Sequence, residues 1–245
     1  MSKAVAPLLK ELRLPTFARL YADYQSRAAE QGWGYTDYLA RLSEEELAQR
    51  YQRRVSNWTR EAKLPPGKSF ATLSMDELDQ AARAKAVVLR DEVGWAHQAE
   101  NVLLIGPSGV GKSHLAAALG IHLIEQGVRV KWFKATHLVQ SLQQAKRDLD
   151  LMTAMTRMDK YRVVILDDIG YVKKTDAETQ VLFEFIAHRY ESGSLIITSN
   201  QPFSQWDQIF PDAIMTVAAV DRIIHHATMI EIQGDSYRRK HSLNN

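Results

Sequence analysis

The stretch Gly106-Pro107-Ser108-Gly109-Val110-Gly111-Lys112-Ser113-His114 holds the residues in this chain whose types and spacing most clearly point to chemistry. Glycine lets successive backbone N–H groups turn inward around phosphate oxygens, and a helix that starts directly after such a loop adds its positive N-terminal end. In Gly-x4-Gly-Lys-Ser spacing, Lys112 reaches the β- and γ-phosphates of a nucleotide and the Ser113 hydroxyl is a ligand for Mg²⁺. The alternative is a glycine turn that binds nothing, and so many constrained residues between a strand-type run and a helical one leave it little room. A second feature is Asp167-Asp168, which closes the apolar run Val163 to Leu166. Acids at the carboxyl end of a buried strand sit on the ligand side of an open parallel sheet. There Asp167 would hold Mg²⁺ through water and Asp168 would orient or deprotonate an attacking water; the alternative is two acids opening a surface turn. A third is Asn200, just past the strand-type run Ser194 to Thr198. It could sense a γ-phosphate, or be a satisfied turn residue before Pro202.

The elements that must position these groups alternate between strand and helix. Asn101 to Ile105, Arg129 to Phe133, Val163 to Leu166, Ser194 to Thr198 and Met229 to Ile232 read as strands. Between them the pattern predicts helices over Leu115 to Leu119 and onward to Gly127, His137 to Asp148 capped by Thr136, Leu151 to Met158, and Asp176 to Glu191. A short helix from Ser204 through Ile209 and a longer one from Ile214 to His226 follow. Strand, helix, strand units of this kind imply a parallel sheet, an α/β fold. Upstream, Ser74 to Val93 reads as a helix with Ser74 and Glu77 as a capping box. Residues 4 to 64 carry almost no strand signal and predict about four helices, with Thr36 and Ser43 as N-cap candidates. Arg50, Arg53, Arg54, Arg60 and Lys63, with Tyr51 and Trp58 interleaved, suit either a helix facing nucleic acid or a solvated charged face. Leu64-Pro65-Pro66-Gly67 stops any helix and divides the chain into a helical domain, 1–66, and an α/β domain, 67–245.

Composition sets limits. The 245 residues are 45% hydrophobic and 24% charged, ordinary for a soluble globular protein that buries a sizeable core. A formal net charge of +2 gives no global electrostatic case for nucleic acid, so any basic surface is local. The absence of cysteine excludes disulfides and cysteine-based zinc sites and fits a reducing cytoplasm. No apolar run is long enough to span a bilayer, and the N-terminus lacks a signal-peptide core. His225 and His226 lack acidic or histidine partners at metal-ligand spacing and read as structural or interfacial.

The order of phosphate loop, strand ending in two aspartates, strand with a terminal Asn, and a late Arg before a short strand resembles an AAA+ ATPase over about residues 70 to 235. The wording VVILDDIGYV, VLFEFIAHRYESGSLIITSNQPFSQW, DRIIHHATMIEI and GDSYRRK is similar to the IstB family of insertion-sequence transposition helpers, relatives of DnaC helicase loaders and DnaA initiators. The resemblance implies a P-loop NTPase sheet with flanking helices, and ATP and Mg²⁺ as ligands; the sequence departs from the broader AAA+ pattern in that little chain follows Ile232, so the lid domain is expected to be absent or truncated. The resemblance makes Asp167 the metal acid, Asp168 the catalytic acid, Asn200 the first sensor and Arg222 an arginine finger supplied to a neighbouring subunit. It leaves Arg238 as a weak substitute for the second sensor. It further implies homo-oligomers on duplex DNA that recruit or activate a transposase, with no membrane role. The split helix from His137 to Asp159, with Lys146 and Arg147, and the lysines Lys173 and Lys174 are the DNA-facing candidates beside the 50–60 arginines. The competing reading is a helicase loader whose N-terminal helices bind a replicative helicase; a small-molecule kinase lacks an evident lid or acceptor site. Lys112→Ala is expected to abolish ATP binding measured by titration calorimetry, since no other cation close to it in the sequence serves the β- and γ-phosphates. Retained affinity would refute the phosphate-loop reading.

Overall fold

A computed structural model of the chain describes residues 4–170, 175–208 and 213–234. By contact the chain divides into two compact units, Met1–Asn57 and Trp58–Asn245. The first unit is helical: α1 (Val5–Glu11), α2 (Pro15–Gln31) and most of α3 (Tyr35–Ala62). Pro15 opens α2, where its fixed φ is already helical and its missing N–H costs nothing. Glu46 is buried against that helix start, accepting the Thr16 N–H at 2.8 Å and the Arg50 Nε–H at 2.8 Å. Burial pushes its carboxyl up, but these hydrogen bonds outweigh it and hold the acid below its ordinary value. Gly32, at φ 67°, ends α2 in the left-handed conformation.

About four helices were expected here, and the described residues of 4–62 form three. Ser43 does not cap a new helix: it lies inside α3, its hydroxyl donating to the Leu39 carbonyl at 2.8 Å. Thr36 is likewise within the first turn of α3, and the acceptor at that end is Asp37 Oδ2, 3.3 Å from the Gly34 N–H. No glycine or proline interrupts 35–62, so the helix simply continues.

The second unit begins with the last turn of α3. Glu61 there accepts from Lys160 Nζ at 2.6 Å, Tyr161 Oη at 3.0 Å and Arg129 at 3.3 Å, while its carbonyl takes Lys131 Nζ at 2.7 Å. The Lys160 hydrogen bond is the chief reason its carboxyl is held below its ordinary value. The expected helix from Ser74 is split. Met75–Glu77 is one 3₁₀ turn, Leu78 is extended, and α4 (Gln80–Asp91) starts from Asp79, whose Oδ1 accepts the Ala82 N–H at 2.9 Å. Aspartate at the N-cap outcompetes the Ser74 and Glu77 pair because Leu78 is drawn into the core.

Five parallel strands follow: β1 (Asn101–Ile105), β2 (Val130–Lys134), β3 (Val163–Asp167), β4 (Ser194–Ser199) and β5 (Ala227–Glu231), in the order β2-β3-β4-β1-β5. They are joined through α5 (Lys112–Glu125), α6 (Ala135–Arg147), α7 (Leu151–Thr156), α8 (Asp176–Arg189) and α9 (Ala213–Ile224). Thr136 is not the cap of α6: that helix starts at Ala135, without a side-chain cap. Thr175 and Glu178 form a full capping box on α8, and the segment expected to run from Ser204 is a 3₁₀ turn over Phe203–Gln208. Among the described residues no helix is long and apolar enough to cross a membrane. Lys173, Lys174 and Arg238 lie outside the described residues.

Side chains alternate across a strand, and the core shows which way. Leu103, Val164, Leu166, Leu195 and Ile197 belong to one apolar cluster with α6, α8, α9 and Trp206. Their neighbours therefore face the opposite side, where α5 packs. Ile165 confirms this, since a Cβ on Gly120 of α5 would sit 2.8 Å from Ile165 Cδ1 and 2.9 Å from Leu64 Cδ2. By the same alternation Asp167 and Thr198 emerge on the α5 face, at the carboxyl edge of the sheet. Gly120→Val therefore overpacks the helix–sheet contact, and urea unfolding should show a loss of about 1–3 kcal/mol; a variant as stable as the parent would refute so close an approach.

Candidate nucleotide-binding site

The loop between β1 and α5 starts with a glycine that no other residue could replace. A Cβ on Gly106 would overlap the Ile232 carbonyl oxygen, and its φ is 152°. Gly109 and Gly111 also have positive φ, 91° and 101°, so the chain curls before α5 begins at Lys112. The Lys112 ammonium is buried and donates to the carbonyls of Gly106 and Pro107, both at 2.7 Å. It thus lies inside the loop, beside the N-terminus of α5, where two positive features converge.

Opposite the loop, Ser113 Oγ donates to Asp167 Oδ1 at 2.6 Å. Two groups distant in sequence meet because Ser113 is in the first turn of α5 and Asp167 ends β3 on the face that α5 covers. Asp168 follows with φ 61°, which turns the chain away from the strand direction. A cleft of about 800 Å³ runs along this edge, lined by the loop from Ser108 to His114, both aspartates and Asn200. A hydroxyl and a carboxylate are hard oxygen donors of the kind that suit Mg²⁺, and the loop and lysine suit the phosphates it would accompany. The residues present therefore fit a Mg²⁺ nucleotide.

The structure brings together the expected loop, Asp167, Asp168 and Asn200. It leaves Arg222 elsewhere: this side chain does not line the cleft, its guanidinium donating to the Ala218 carbonyl at 2.8 Å and lying 5.3 Å from the Phe183 ring centroid. Lys146 pairs with Glu184 at 2.9 Å, and Arg147 donates to Gln144 at 2.6 Å. His225 contacts Tyr190 Oη at 3.1 Å and packs edge-to-face against His226, and among the described residues no cluster of metal-binding side chains forms.

Sequence reasoning missed two contributions. One is the segment 67–78, taken as a boundary and a helix start, which lines the cleft with Lys68, Thr72 and Glu77. His114 tethers it, Nε2 lying 3.1 Å from Thr72 Oγ1 and 3.2 Å from the Ser69 carbonyl. The other is Thr198, whose hydroxyl follows the apolar stretch Leu195 to Ile197 of β4 and meets Asp167 one step beyond the regular β3–β4 pairing.

A family model described as "IstB-like ATP binding protein" matches residues 7–245. An insertion-sequence ATP-binding protein of Sinorhizobium fredii is 45% identical over 236 residues, covering 96% of this chain and 79% of the relative. A second, from Pseudomonas aeruginosa, is 34% identical over 235 residues, 95% of this chain and 88% of the relative. Among solved structures, DnaI has a TM-score of 0.57 at 21% identity, covering 68% of this chain and 92% of that one. DnaA bound to AMPPCP and single-stranded DNA has a TM-score of 0.58 at 18% identity, covering 74% and 56%. These structures share the fold, a P-loop sheet of AAA+ type with flanking helices.

The tether predicts a pH dependence. Burial is the main cause holding the His114 imidazole below its ordinary 6.5, so the neutral ring is the folded form. As pH falls, the unfolded chain takes up that proton first, and stability present at higher pH is lost below about pH 6.5. The stability advantage of the parent over His114→Gln should therefore shrink between about pH 8 and about pH 5.5 in urea unfolding; a difference independent of pH would contradict it.

Proposed function

The chain belongs to the family of IstB-like ATP-binding proteins, and on that premise we propose that it is an AAA+ ATPase that assembles on duplex DNA and recruits or activates the transposase of its insertion sequence. The observation that carries the ATPase reading is the 2.6 Å contact between Ser113 and Asp167 at the mouth of the phosphate loop. It brings the hydroxyl and the carboxylate of a metal-nucleotide site together.

In this reading the backbone N–H groups of the loop and Lys112 would hold the triphosphate, and Ser113 with Asp167 would hold Mg²⁺. Bound Mg²⁺ supplies charge neutralisation on the phosphate oxygens. Asp168, turned out of the strand by its positive φ, orients or deprotonates the water, and Asn200 at the end of β4 senses the γ-phosphate. Arg222 lies off the cleft of its own subunit, which supports a finger offered to a neighbouring copy in a homo-oligomer. Among the described residues its partners are a carbonyl and an aromatic face, both neutral.

The 1–66 segment is proposed to contact the partner or DNA and 67–245 to carry the ATPase, in the cytoplasm. Lys146, Arg147 and the arginines of α3 are the DNA candidates on described residues. The names of the relatives favour a transposase over a replicative helicase as partner; likeness to DnaI is likeness of fold. Mixing two inactive variants tests the assembled site. Arg222→Ala and Asp168→Asn should each bind ATP yet lack turnover, while their mixture regains part of the parent's activity, because some interfaces then pair an intact Arg222 with an intact Asp168. Mixed oligomers that form and stay inactive would defeat the finger, and unchanged turnover in Asp168→Asn alone would move the catalytic acid elsewhere.

A further inference from the structure

We propose that Thr198 is a positioning residue for the two aspartates, a role that rests on reading the cleft as a Mg²⁺-ATP site. Thr198 is fully buried near the end of β4. Its hydroxyl donates to Asp167 Oδ1 at 2.8 Å and accepts the Asp168 N–H at 2.9 Å. Its carbonyl accepts the Ile169 N–H at 3.0 Å. The regular pairing of β3 with β4 ends at Leu166 and Ile197, so one threonine extends the attachment over the next three residues.

A hydroxyl has one proton to give and lone pairs to receive with. Thr198 gives the proton to the first aspartate and receives the backbone of the second. The carboxylate of Asp167 and the backbone of Asp168 are thereby referenced to one atom. Asp167 Oδ1 accepts from Ser113 as well, so the orientation of that carboxylate is fixed from both the helix side and the strand side. The left-handed turn at Asp168 is unfavourable for a non-glycine residue and persists only where neighbours hold it. The Asp168 N–H bond to Thr198 is one such hold. Close packing of the turn on the following strand end is another: a Cβ at Gly170 would lie 3.1 Å from Asn200 Oδ1 and 3.3 Å from Ser199 Oγ. Thr198 thus ties the acidic pair to the strand that carries Asn200.

A threonine that merely fills space would be replaced equally well by valine, which has the same shape without the hydroxyl. A positioning threonine would not, and serine would restore it. In the full-length chain, binding of a fluorescent ATP analogue without Mg²⁺ should be equal in the parent, Thr198→Val and Thr198→Ser, because the phosphate loop is untouched. The Mg²⁺ concentration that gives half-maximal strengthening of that binding should rise about 10-fold or more in Thr198→Val, as for other outer partners of metal-site ligands, and return toward the parent in Thr198→Ser. At saturating Mg²⁺ the same variant should lower kcat while leaving the KM for ATP unchanged. If Thr198→Val does not fold, Thr198→Ala, which also lacks the hydroxyl, takes the same measurements. A parental Mg²⁺ midpoint and kcat in the hydroxyl-free variant would overturn the proposal. A parent protein whose ATP binding ignores Mg²⁺ altogether would instead fell the Mg²⁺-ATP reading, and this role with it.

Discussion

The rest of the site depends on one buried carboxylate oxygen, Asp167 Oδ1, which accepts from a helix hydroxyl, Ser113, and from a strand hydroxyl, Thr198. Leaving a buried carboxylate without such donors is costly, so both hydroxyls must reach it. Each distance in turn constrains a larger element. Ser113 reaches Asp167 only if α5 starts directly after the glycine loop and lies on the face of the sheet that carries Asp167. Thr198 reaches it only if β3 and β4 are parallel neighbours in the observed register. The small side of Gly120 lets α5 approach that face closely. Helix placement, strand order and register are thus tied to the position of one oxygen.

Strand order also explains why the ligand side lies where it does. β1 and β3 are separated by β4, so the loop after β1 and the aspartates after β3 flank the end of β4. Thr198, Ser199 and Asn200 occupy the space between them. An arrangement of this kind offers phosphate-binding groups on one side and acids on the other, with a polar strand end between. The lining from the 67–78 segment, held by His114, closes a further wall.

Much of this was legible in the sequence because the signals are local. The phosphate loop is contiguous, β3 is an unbroken apolar run ending in two acids, and the five strands fall within a residue or two of the expected ones. What failed turned on a local signal overridden by its surroundings. Ser43 and Thr36 look like caps until the absence of any helix breaker in 35–62 lets α3 run through both. Ser74 and Glu77 match a capping pattern, but burial of Leu78 hands the cap to Asp79. Thr198 was invisible as a site residue, since a threonine beside Ser199 at a strand end is ordinary; only its place against β3 gives it a role. The position of Arg222 away from the cleft could not be read from sequence, which carries order along the chain but not the direction of a side chain on α9.

Ser113 and Asp167 are proposed to act as one unit that holds the metal of a bound nucleotide. A double-mutant cycle tests it most directly: Mg²⁺-dependent ATP affinity measured by calorimetry in the parent, Ser113→Ala, Asp167→Asn and the double variant. Groups that share one metal and one hydrogen bond are strongly non-additive. The account predicts that each single variant loses most of the Mg²⁺-dependent affinity and that the double variant loses little more than the worse single. Losses that simply add, or an Asp167→Asn protein whose affinity still responds to Mg²⁺ like the parent's, would contradict it.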